Sequence, residues 1–320
     1  MSNIWIGDRL ETKFISKDKI TGLISSLKGE IFIPQKKGNS FYWQKYPCAF
    51  SLEGFRTSLP PKFFFYSPQE ILKEKKTITR TVIGMKACDL RGIQFLIKVF
   101  KDGDFIDPFF RDDIFIISSD CTYVHENCFC ALLGDSPYPE EGFDLNLSEV
   151  EGGFLVEIGS RKGKILVEKK QGLFSPASPE QIEESKKRRE EVKNQIKGKK
   201  IEVEKNIEPE KIADEIKKCV SCSACTNICP SCFCFLLDEQ SNFEKVRFWD
   251  SCQYYGYARV AGGANPRKEL DKRFIHRIKC KFEYSPERFG LRGCFACGRC
   301  ISACFGGINF KDVLLKLGKG

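Results

Sequence analysis

The first half of the chain alternates short apolar, β-branched stretches with one clear amphipathic stretch. Glu30 to Pro34 and Ser40 to Tyr46 read as strands on either side of a Lys37-Gly38-Asn39 turn. Thr77 to Met85 reads as a further strand, Asp89 is placed to cap a helix running to about Phe100, and Ile114 to Ser119 reads as the next strand. Leu90, Ile93, Leu96 and Ile97 share one face of that helix. A strand-helix-strand unit favours parallel pairing, which puts the ends of both strands at one sheet edge. Gly153 to Ile158 and Lys164 to Val167, joined by Ser160-Arg161-Lys162-Gly163, predict a hairpin.

From Pro176 to Lys211 the pattern turns to charge, with i, i+4 pairs Glu183 to Lys187 and Glu184 to Arg188. This predicts a solvated helix joining two domains. Beyond it, Ile212 and Ile216 mark a helix over 209–218, and Phe310 to Leu317 marks another. The expected architecture is α+β: a mixed α/β domain over 1–175, a charged helical connection over 176–211, and an all-helical ferredoxin-like domain over 212–320.

Composition sharpens this picture. The chain has 320 residues, 17 cysteines and two histidines. The cysteine count is odd, and Met1 to Thr12 lacks a basic region followed by an apolar stretch, which argues against a secreted disulfide scaffold. No run of about 18 apolar residues is present, so no transmembrane segment is expected and a cytoplasmic setting is. The formal charge of +9 raises a nucleic-acid reading. Oxidised cubanes with four thiolates carry about two negative charges each and would cancel much of that excess. With only His125 and His276 available, proton chemistry is expected on another subunit.

The chemistry lies in two cysteine runs, Cys219-x-x-Cys222-x-x-Cys225-x-x-x-Cys229-Pro230 and Cys294-x-x-Cys297-x-x-Cys300-x-x-x-Cys304. In two-cluster ferredoxins the first three thiolates of such a run hold one 4Fe-4S cluster and the fourth holds the other. The crossed sets are Cys219, Cys222, Cys225 and Cys304 against Cys294, Cys297, Cys300 and Cys229. Zinc is the competing occupant, but it favours separated cysteine pairs over four crowded sulfurs.

Cys88 and Cys121 follow two predicted parallel strands, and Cys128 and Cys130 come soon after, completing a four-thiolate set for a third cluster. Cys232, Cys234 and Cys252 offer three sulfurs without an obvious fourth and read as packing around a cluster, with ligation of another cluster as the alternative. Cys48 and Cys280 read as solitary.

Several motifs together resemble the iron-sulfur beta subunit of cytoplasmic NiFe hydrogenases (sulfhydrogenases) and its iron-sulfur counterpart in anaerobic sulfite reductase. They are Gly84-Met85-Lys86-Ala87-Cys88-Asp89-Leu90, Gly103-Asp104-Phe105-Ile106-Asp107-Pro108, Asn127-Cys128-Phe129-Cys130, Cys229-Pro230-Ser231-Cys232-Phe233-Cys234, Trp249-Asp250-Ser251-Cys252, Ala261-Gly262-Gly263 and both cysteine runs. Family members usually carry Arg-Pro where this chain has Lys86-Ala87, and proline where it has Phe305. The resemblance implies a helical dicluster ferredoxin domain in a hetero-oligomer. It also implies a role relaying electrons between a flavoprotein, NAD(P)H-type subunit and a catalytic redox subunit, with no substrate turned over by this chain alone. The alternatives are a flavin-binding reductase with its own active site, an iron-sulfur nucleic-acid-binding protein, and a structural metal scaffold.

Overall fold

The computed structural model describes residues 11–73, 78–101, 106–203, 205 and 207–318. Thr77, at the start of one expected strand, the Gly103-Asp104-Phe105 part of a quoted motif, and the first ten residues lie outside them.

The strands are β1 (Glu11–Ser16), β2 (Glu30–Lys37), β3 (Ser40–Lys45), β4 (Gln69–Ile71), β5 (Arg80–Met85), β6 (Phe115–Ser119), β7 (Leu145–Val150), β8 (Gly153–Ile158), β9 (Ser175–Pro176), β10 (Phe235–Glu239) and β11 (Lys245–Trp249). Eight form one mixed sheet in the order β3-β2-β5-β6-β7-β8-β1-β9. Its centre, β2, β5, β6 and β7, is parallel, and both flanks are antiparallel. Parallel strands need crossover connections, and the one between β5 and β6 is the helix Ala87–Lys101.

That helix is buried on two sides. Leu90, Ile93 and Leu96 face the sheet core, while Phe95 packs against Phe233 and Phe289 of the C-terminal half. A side chain at Gly92 would meet Pro230 Cβ at 2.7 Å, so only glycine allows this approach. Asp89 is not the cap expected of it. It sits in the helix's first turn, buried, with Arg299 at 2.7 Å.

The second arm of the expected hairpin is a helix, Arg161–Lys169. Ser160 Oγ caps it by accepting from Gly163 N at 3.1 Å, and β8 instead pairs with β7 and β1. The C-terminal region also departs from an all-helical fold. β10 and β11 form a hairpin there, and β11 pairs with β4 of the N-terminal half. β10 is exposed on both faces, so its residues carry no alternation to reveal a strand.

Pro179–Asn194 is a helix with a Ser178/Gln181 capping box. Its outer faces are solvated as expected, but Ser185 and Val192 are buried and Arg189 reaches Asp120 at 2.7 Å and Glu157 at 2.5 Å. No helix among the described residues is long and apolar enough to cross a membrane.

Candidate iron-sulfur site

The two cysteine runs adopt matching backbones. Ser221 and Ser223 in the first, and Ala296 and Gly298 in the second, have positive φ at equivalent positions, and each run continues into a short helix, Ala224–Asn227 and Arg299–Ser302. Alternating right- and left-handed residues turn successive N–H groups inward, the concave nest that suits anionic clusters. Serine and alanine tolerate left-handed φ poorly, so the surrounding structure holds them there. Gly298 has φ +69°, and a Cβ on it would lie 2.1 Å from Asn127 O, which ties the second run to the loop carrying Cys128.

Cys219, Cys222 and Cys225 line one cavity together with Cys300 and Cys304, so the last two sulfurs of the second run meet the first three of the first. Cys229 lies within electrostatic reach of Cys294, Cys297 and Cys300, the reciprocal grouping. Burial pushes the Cys294 thiol up to about 11 and Cys300 up to about 12. Such thiols become thiolates at neutral pH only with an electropositive partner such as a metal centre.

In the N-terminal half β5 and β6 are parallel, which carries residues 88 and 121 to one sheet edge. Cys121 and Cys128 are electrostatic neighbours of Cys130, and burial pushes Cys121 up to about 12. Cys88 shares a thiol hydrogen bond with Cys297, which raises Cys88 and lowers Cys297. Lys86 stands beside both Cys88 and Cys121. The second run is stitched to this region by Phe129 N to Ala296 O (3.0 Å) and Arg56 Nε to Cys297 O (2.6 Å).

The charge pattern fits the same occupant. Among the described residues eight lysines and arginines are buried. Arg247 pairs with Glu70 and Asp107, and Arg299 with Asp89. The other six, Arg56, Lys62, Lys86, Arg273, Arg277 and Lys281, have no carboxylate at ion-pair distance among the described residues, and all stand beside cysteine segments. Lys281 Nζ donates to Cys229 Sγ at 3.2 Å, and Arg277 Nη2 to Cys225 O at 3.4 Å. Lys62 Nζ donates to Cys232 O at 3.1 Å, Arg273 Nη2 to Ser221 Oγ at 3.4 Å, and Lys86 Nζ to Asp120 O at 2.8 Å. A buried cation without a counter-charge costs several kcal/mol, on the order of 3–5. Six beside sulfur match bound anionic clusters. No three His, Cys, Asp or Glu side chains among the described residues converge as a single-ion site. A cubane instead takes its thiolates at separate corners.

Two features escaped the sequence reading. Cys280, read as solitary, lines a cavity with Cys232, Cys234 and Cys252. Arg277 and Lys281 carry no ligand signature of their own in the sequence, although their i, i+4 spacing marks one helix face. His276, held down to about 4 by burial and by Arg267, is neutral at pH 7 and touches the Tyr284 ring. Cys48 lies in the opposite core, against the far face of the sheet.

Residues 218–308 match the 4Fe-4S dicluster domain family. The chain is also 30% identical to sulfhydrogenase 2 subunit beta of Pyrococcus furiosus over 323 aligned positions, which cover 91% of this chain and 93% of that protein. The cofactor type is therefore the 4Fe-4S cluster.

Proposed function

The chain belongs to the family of sulfhydrogenase beta subunits, and from that premise we propose that this iron-sulfur electron-transfer subunit links a flavoprotein, NAD(P)H-type subunit to a catalytic redox subunit in a cytoplasmic hetero-oligomer. In this reading Cys219, Cys222, Cys225 and Cys304 hold a first cluster, and Cys294, Cys297, Cys300 and Cys229 hold a second. Cys88, Cys121, Cys128 and Cys130 hold a third. When bound, each cluster supplies a centre that takes up and gives back single electrons.

The observation that carries the proposal is the cavity on which both runs converge, with Cys300 and Cys304 joining the first three thiols of the other run. The chain's own residues support an ordered route. Cys229 is a neighbour of Cys225 as well as of the second set, and Cys88 bonds Cys297, so the second set lies between the other two. Cys222 is exposed, and Val220 and Phe305 beside the first set are 63% and 85% exposed, a surface suited to a redox partner. Buried cations beside the sulfurs hold negative charge away from water.

The test is anaerobic purification, iron and acid-labile sulfide analysis, and EPR during redox titration of single-cysteine variants. Crossed ligation expects Cys304→Ala to perturb the same signal as Cys219→Ala. If Cys304→Ala instead matches Cys294→Ala, ligation is uncrossed and the pairing is wrong.

A further inference from the structure

We infer that Cys232, Cys234, Cys252 and Cys280 form a binding site for a further 4Fe-4S cluster, distinct from the three sets above. The inference rests on reading the chain as a cluster carrier and extends it to four thiols that the tandem runs leave unused.

The four come from three separate segments and line one cavity. Cys234 immediately precedes β10 and Cys252 follows β11 by three residues, so the antiparallel pairing of Phe235 with Trp249 brings them together at the hairpin's open end. Asp250 N donates to Cys234 O at 2.9 Å, and the two thiols are electrostatic neighbours. Cys232 lies two residues earlier, in the turn after Cys229-Pro230. Cys280 arrives from across the core. It opens a π-helical turn, Cys280–Tyr284, that continues the helix Leu270–Lys279. A π turn shifts the side chains after it relative to an α-helix and often marks a functional position. Here it leaves Cys280 and Lys281 both lining the cavity.

Four free thiols could simply pack as small hydrophobes, but such a cluster would not call for buried positive charge. This cavity is lined by Arg277 and Lys281, and Lys62 donates to Cys232 O while lying 3.9 Å over the Trp249 ring. Among the described residues none of the three has a carboxylate at ion-pair distance, and all three are buried. Arg277 and Lys281 also face the tandem sets, and a thiolate-ligated cubane here adds negative charge on the side of Cys232, where Lys62 stands. The site also adjoins the second set, because Cys232 is an electrostatic neighbour of Cys229.

The test uses the full chain, reconstituted anaerobically with iron and sulfide. It measures iron and sulfide per chain, zinc content, and the integrated EPR spin of the reduced protein. Wild type should hold about sixteen irons rather than about twelve. Cys280→Ala and Cys234→Ala should each lose about four irons and about four sulfides while the remaining EPR signals persist, and Cys48→Ala should lose none. Unchanged iron in both variants overturns this site and leaves the proposed function standing, as does a wild-type count near twelve that Cys88→Ala lowers by about four. Zinc in wild type that disappears in Cys280→Ala overturns the cubane assignment. Wild type without iron overturns this site and the proposed function together. Should Cys280→Ala fail to fold, the wild-type count and Cys234→Ala still decide.

Discussion

Lys281 is buried, donates to Cys229 Sγ, Ser231 Oγ and Gly293 O, and meets no carboxylate. A cation so placed favours the more negative, reduced state of whatever Cys229 ligates. Lys281→Met is therefore expected to make the second set's potential more negative by on the order of 100 mV, about 2 kcal/mol of charge interaction for one electron. EPR-monitored redox titration reads this directly, and a positive shift would contradict the assigned role. The dicluster cysteine pattern was legible because a cubane imposes local spacing on the thiolates that hold it. Lys281 was not, since its task depends on a sulfur some fifty positions away. The Lys86-Ala87 departure becomes intelligible in the same way. Lys86 crosses to Leu52 O, Ser119 Oγ and Asp120 O at the sheet edge, where its charge stands near Cys88 and Cys121.

At the scale of elements, charge patterning identified a helix in the connecting segment but not the face it buries. Arg189 is the anchor of Pro179–Asn194: it pairs with Asp120 and Glu157, bonds Ser148, and lies over the Tyr138 ring. Arg189→Met leaves two largely buried carboxylates without their cation and is expected to cost about 3–5 kcal/mol. Lys187→Met on the solvated face should change stability by less than about 0.5 kcal/mol. Urea unfolding monitored by circular dichroism separates the two. Equal effects would show that the helix is not held through Arg189. The element that defeated sequence reading, 161–169, is instructive for a different reason. Four apolar-leaning residues fit a strand or a helical turn equally well, and the Ser160 cap, fixed by its 2.5 Å bond to Asp144 across the fold, selects the helix.

Across the whole molecule, the two halves share polar and apolar contacts rather than merely adjoining. β4 pairs with β11, Arg56 and Arg299 reach from one half to the other, and Arg299 meets Asp89 in a fully buried pair. Asp89→Asn is expected to destabilise by about 3–5 kcal/mol, because it strands the Arg299 guanidinium in the core. The double variant Asp89→Asn with Arg299→Met should recover part of that loss. Denaturant midpoints of the anaerobically prepared holoprotein test this. Additive losses would mean that the pair does not couple the helix after β5 to the second cysteine run.

The chain's own order of residues determined the parallel β5-helix-β6 unit, the 4Fe-4S cofactor type and both tandem runs, because hydrophobic periodicity and ligand spacing act over a few neighbouring positions. Only tertiary structure decided that Cys280 joins Cys232, Cys234 and Cys252, that Asp89 faces Arg299, and that six buried cations stand beside sulfur without carboxylates. Those relations arise when distant segments exclude water between them, and the resulting electrostatics belong to the packed interior rather than to any stretch of sequence.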